Sequence, residues 1–167
     1  MQSPVIKYFL MFIVLVGVQV LFLNQIQFSG YINPYIYVLF IMLLPLSTPR
    51  YAIILLSFII GLTIDIFSNT LGMHSFASVL IAYLRPAIIR VITNREEDMS
   101  DYPGLAATGI TWFLSYAGIM VFIHHVTLFY LEVFSLHNFF TTLYRAVLSS
   151  VFSIFVIVLS QFIIFRD

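Results

Sequence analysis

Long apolar runs dominate the chain, beginning with residues 5–23, and only short polar breaks separate them. About 20 apolar residues in a helix cross the hydrocarbon core of a bilayer, whereas a soluble domain carries roughly 25% charged residues to hold its surface in water. Here 62% of the residues are hydrophobic and 8% are charged. Seven acids and seven bases cannot coat a globule of 19.2 kDa. A soluble enzyme, a disordered chain and a nucleic-acid binder are therefore excluded. The net charge of zero also removes any bulk attraction to a phosphate backbone. The remaining class is an integral membrane protein, read as one transmembrane domain over residues 1–167.

Six spans are expected, at 5–23, 35–46, 51–67, 75–92, 105–123 and 139–165. The second is short, opened by Pro34 and closed by Ser47-Thr48-Pro49-Arg50. The runs are too long and too uniformly apolar for the alternating strands of a barrel, so the fold class is an all-α membrane protein, a six-helix transmembrane bundle. The first run is long for the core of a signal peptide and no small-residue cleavage site follows it, so it is read as a retained span. Cysteine is absent, which excludes disulfides and thiolate chemistry.

Lys7, Arg50, Arg90, Arg95 and Arg166 all fall on one side of a six-span chain, while the stretches 24–33 and 68–74 carry no Lys or Arg. Basic loops stay in the cytoplasm. Both termini are thus expected inside, with Ser29 and Asn69 outside and Ser100 inside. Arg95-Glu96-Glu97-Asp98, followed by Asp101, reads as a solvated loop rather than a metal site.

Ionisable groups at membrane depth are costly and usually face the bundle interior. Asp65 is the clearest. Ser57, Gly61 and Asp65 recur every four residues and form a narrow small-and-polar stripe on span three, a helix-packing face. Asp65 is either a proton or ligand site or a buried anchor paired with a base. Arg145, Ser149 and Ser153 repeat the spacing on span six. Antiparallel spans would set Asp65 against Arg145, Gly61 against Ser149 and Ser57 against Ser153, with Glu132 as another partner for Arg145. Arg85, just before Pro86, is expected to snorkel or to cap the carbonyl that the proline frees, with substrate binding as the alternative. His74, His124, His125 and His137 are expected at the outer interface. Residues 126–136 are apolar yet outside the six spans. They either lie in the outer interface or extend span five, and Phe129 and Phe134 there are expected to bind a partner. No phosphate-binding glycine loop, His-Glu-x-x-His or nucleophile elbow is present, so no catalytic residue, metal or cofactor is assigned.

Pro49-Arg50-Tyr51, then Gly61-x-x-x-Asp65, then Leu71-Gly72-Met73-His74, then Ala82-Tyr83-Leu84-Arg85 resembles the rod shape-determining protein MreD family. Length and span number agree along the whole chain, and the local motif covers about residues 45–90. The resemblance implies a non-enzymatic component of the bacterial inner membrane, within the cell-elongation machinery. It implies MreC as direct partner and, through it, MreB, RodA and a penicillin-binding protein. It also implies a fold similar to the substrate-binding subunit of energy-coupling-factor vitamin transporters. A vitamin-capturing subunit of that kind is the competing function. Such subunits often dock through an Ala-x-x-x-Ala stripe on span one, and span one here has no alanine. A lipid-modifying enzyme would need polar groups clustered at one depth, and these are scattered singly. The expected mechanism is binding of partner helices in the bilayer, where small-residue stripes and buried polar groups specify contacts.

Overall fold

The computed structural model describes residues 4–25, 32–93, 100–135 and 138–163. Ser29, Arg95 to Asp98, Leu136, His137 and Arg166 lie outside the described residues. Helix α1 (Pro4–Leu21) opens on a proline, which the first turn tolerates because its missing N–H would have no partner there. A single 3-10 turn, Leu23–Gln25, ends it. Helix α2 (Val38–Leu43) follows, then α3 (Arg50–Ser68), α4 (Met73–Ile92), α5 (Leu105–Thr108), α6 (Ile110–Val133) and α7 (Phe139–Ile163). Among the described residues five helices, α1, α3, α4, α6 and α7, are long and apolar enough to cross a membrane.

The second expected span departs from this pattern. Residues 35–46 hold only the six-residue α2, reached through an extended stretch, and every residue of α2 is buried. Prolines bracket it: Pro34 keeps its predecessor out of helical geometry, and Pro45 and Pro49 stop any continuation. The segment nevertheless runs from one end of the bundle to the other. At its start, the amides of Asn33 and Tyr35 meet α7 near Ser149 and Ser153. At its finish, the Leu46 amide donates to the Asp101 carbonyl at 2.8 Å. Among the described residues the bundle thus consists of five long apolar helices and one broken segment that lies in its middle.

Contacts fix which helix ends lie together. Asn24 Nδ2 donates to Ser68 Oγ at 3.1 Å, which joins the end of α1 to the end of α3. At the opposite end Lys7 Nζ lies 4.3 Å over the Tyr102 ring, Trp112 Nε1 donates to Thr93 Oγ1 at 3.2 Å, and the Leu105 amide donates to Gln161 Oε1 at 3.2 Å. The start of α1 and the finish of α7 therefore share one end, with Arg50 and Arg90.

Lipid tails are as apolar as leucine, so close packing and polar contacts hold these helices rather than the hydrophobic effect. Helices α3 and α4 approach closely at Gly61. A Cβ on Gly61 would stand 2.6 Å from Ser75 Cα and 2.7 Å from the His74 carbonyl oxygen, so only glycine lets the backbones meet. Gly61 thus faces α4 and not Ser149, as its spacing had suggested. Gly109, at φ 80° and ψ 161°, adopts a conformation reserved for glycine and separates α5 from α6. Span five begins later than expected for this reason and runs on to Val133, so the apolar stretch after residue 126 extends that span instead of lying in the interface.

Candidate functional site

A backbone that is neither helix nor sheet survives at membrane depth only where protein groups satisfy its amides and carbonyls. The broken second pass meets that condition with side chains from four helices. At its extended start, the Asn33 amide donates to Ser149 Oγ at 3.0 Å and the Tyr35 amide to Ser153 Oγ at 2.9 Å. The Ile36 amide donates to Gln19 Oε1 at 2.8 Å, while Gln19 Nε2 donates to the Pro34 carbonyl at 3.1 Å. Ser149 and Ser153 were expected to pack helix on helix. Their position every four residues instead presents a ladder of acceptors to an extended chain.

At the other end of α2 the unpaired carbonyls point into the bundle, as the last carbonyls of any helix must. The Arg85 guanidinium closes them. Its Nη2 donates to the Met42 carbonyl at 3.3 Å and to the Leu44 carbonyl, and its Nε donates to the Tyr116 hydroxyl at 2.8 Å. Tyr116 in turn donates to the Met42 carbonyl at 3.2 Å. Arg85 is 2% exposed, so it does not snorkel, and the carbonyls it caps belong to the second pass rather than to its own proline-interrupted helix. A cation at a helix C-terminus also opposes the negative end of the peptide dipoles.

Between these two ends lies a ring cluster. The Tyr37 hydroxyl lies 2.9 Å from His74 Nδ1 and 2.6 Å from His124 Nε2. His125 Nδ1 lies 2.8 Å from the Val121 carbonyl, and its Nε2 lies 3.0 Å from Ser153 Oγ. A carbonyl only accepts, so the proton of neutral His125 sits on Nδ1, and Ser153 donates to Nε2 while accepting from Tyr35. The Tyr35 ring packs on His74 at 5.1 Å and on His125 at 5.2 Å between centroids. His74, His124 and His125 are buried and not interfacial. Among the described residues, no three His, Cys, Asp or Glu side chains converge as a metal site.

Asp65 is buried and does not meet Arg145. Its Oδ1 accepts from Thr70 Oγ1 at 2.5 Å and from the His74 amide at 3.0 Å. Its Oδ2 accepts from the Ser75 amide at 2.9 Å and from Ser75 Oγ at 2.6 Å. One carboxylate thus caps buried amides that have no intrahelical partner at the start of α4, from the neighbouring helix. Arg145 forms an ion pair with Glu132 at 3.1 Å, and its guanidinium lies 4.3 Å over the Phe129 ring. The expected pairing fails because the second pass lies against the Ser149 and Ser153 face of α7, the face that was to meet α3. Ser57 is buried on α3, with no hydrogen-bond partner for its hydroxyl among the described residues. Phe129 is fully buried, so it offers no binding surface, whereas Phe134 is 89% exposed at the end of α6.

Sequence reasoning passed over Gln19, Tyr37 and Tyr116. Gln19 had a signal: it follows Met11 and Leu15 at intervals of four on the buried face of α1. Above the ring cluster the bundle end opens into a cavity of about 330 Å³ between Asn24, Thr70, His74, Glu132 and Arg145. The family model described as rod shape-determining protein MreD matches residues 3–163. Neither a curated protein nor a solved structure matches the chain.

Proposed function

The chain belongs to the MreD family of rod shape-determining proteins, and from that premise we propose that it is a non-enzymatic component of the bacterial inner membrane that binds MreC. Through MreC it helps to organise peptidoglycan synthesis, with MreB, RodA and a penicillin-binding protein as indirect partners. The observation that carries this reading is the family match over residues 3–163. The use of the polar side chains supports it: Gln19, Ser149, Ser153, Arg85, Tyr116 and Asp65 hold backbone in place, as in a scaffold. The fold proposed with it is the one shared with substrate-binding subunits of energy-coupling-factor transporters. Five long helices and one broken segment, with the start of α1 and the finish of α7 at one end of the bundle, support that fold. The end that carries Lys7, Arg50 and Arg90 is the cytoplasmic one under the positive-inside rule.

The partner face proposed here is the far end of α6. Phe134, in left-handed geometry at φ 44°, projects an exposed ring there. Co-purification with MreC tests the proposal. Phe134→Asp is expected to cut recovery of MreC severalfold while the chain stays inserted. Phe129→Asp instead places a carboxylate in the buried cluster and is expected to reduce the amount of folded chain. No recovery of MreC with the unaltered chain would refute the partner assignment. Unchanged recovery with Phe134→Asp would remove α6 from the interface.

A further inference from the structure

The cavity at the end opposite Arg50 has a chemistry that the scaffold role does not use. Every pass contributes to its wall, from Asn24 beside α1 to Arg145 on α7. Its volume of about 330 Å³ equals that of roughly ten waters at ~30 Å³ each, and it falls at the lower end of the sizes of small-molecule sites. Its rim carries one fixed cation and one fixed anion. Glu132 Oε2 stands 3.1 Å from Arg145 Nη1, and Asn33, with its amide oxygen turned to the guanidinium, accepts from Arg145 Nη2 at 2.7 Å. The guanidinium is thus held in place by Glu132, by Asn33 and by the Phe129 ring beneath it. Its Nε is buried with no partner among the described residues. The Glu132 side chain is 43% exposed, so its oxygens retain room for a second donor. Elsewhere in the wall, Thr70 is anchored on Asp65 and Asn24 on Ser68, so these groups are already positioned.

We propose that this cavity is a binding site for a compact zwitterion, a molecule with a cationic and an anionic group a few ångströms apart. The anionic group takes the guanidinium of Arg145, and the cationic group takes the carboxylate of Glu132. A ligand with net charge would face the opposing member of the pair, whereas a zwitterion satisfies both. Two sources share this chemistry: the head of an outer-leaflet phosphoethanolamine lipid, and a free amino acid or short peptide.

Equilibrium dialysis on the full chain in detergent tests the site with two probes, glycerophosphoethanolamine and the dipeptide alanyl-alanine. At least one is expected to bind saturably, and the one that binds identifies the source. A dipeptide capped at both termini lacks the two charges and is expected not to compete. Glu132→Gln and Arg145→Gln are each expected to weaken binding about tenfold or more, the loss of one charge-assisted hydrogen bond. The competition arm uses the unaltered chain and so decides the matter even if a variant misfolds. The proposal is overturned if neither probe saturates below about 10 mM, if the capped dipeptide competes equally, or if both variants, melting as the unaltered chain does, bind like it. Any of these results leaves the role with MreC untouched.

Discussion

Arg85→Met is expected to destabilise the bundle by roughly 2–4 kcal/mol, the cost of stranding buried carbonyls less the relief of no longer burying a cation. Methionine fills similar space but donates nothing. The Leu44 carbonyl then loses its guanidinium donor, and Met42 keeps only the Tyr116 hydroxyl. Arg85→Lys retains the charge but not the fork that reaches Leu44, Met42 and Tyr116 together, so it should recover part of the loss. Tyr116→Phe removes one donor and is expected to cost about 1 kcal/mol. Unfolding in mixed micelles, followed by tryptophan fluorescence, measures all three, because the single Trp112 packs 5.0 Å from the Tyr116 ring. Native stability in Arg85→Met would mean that the second pass does not depend on its cap.

Asp65→Ala should cost a comparable roughly 2–5 kcal/mol, because it leaves two amides and two hydroxyls without their acceptor. Asp65→Asn keeps one acceptor oxygen but turns an NH₂ toward other donors, so it should fall between alanine and the unaltered chain. Arg145→Ala breaks a partly exposed ion pair, worth about 1 kcal/mol or less. The two sites share no partner, and their effects should add within about 0.5 kcal/mol in the double variant. Those energies come from the same micelle unfolding. A coupling well beyond that figure would put the carboxylate and the guanidinium in contact after all.

The long helices were legible because hydropathy alone decides them: α1, α3 and α4 lie within about two residues of the apolar runs 5–23, 51–67 and 75–92, and α7 starts with the run 139–165. Asp65, Arg85, Ser149 and Ser153 stood out because polar groups at membrane depth are rare, and each one is a hydrogen-bonding anchor. Their partners were not legible. Periodicity gives the face of a helix but not what lies against it, and an antiparallel helix was the default occupant. The interior is instead filled by a short apolar segment between prolines, which hydropathy cannot distinguish from a short spanning helix. Once that segment is in place, Ser149 and Ser153 turn to its amides and Arg85 to its carbonyls. Arg145 is left to Glu132, the other partner weighed for it.

The second segment crosses the interior as a broken pass, and impermeant thiol labelling of intact cells tests this most directly, since the chain has no native cysteine. Single cysteines are placed at Gln25, Ser47, Leu71 and Ser100, all four exposed. Gln25 and Leu71 should react from outside, and Ser47 and Ser100 should react only after permeabilisation. Reaction of Ser47 together with Gln25 in intact cells would contradict a crossing, because residues 33–46 would then enter and leave by the same face.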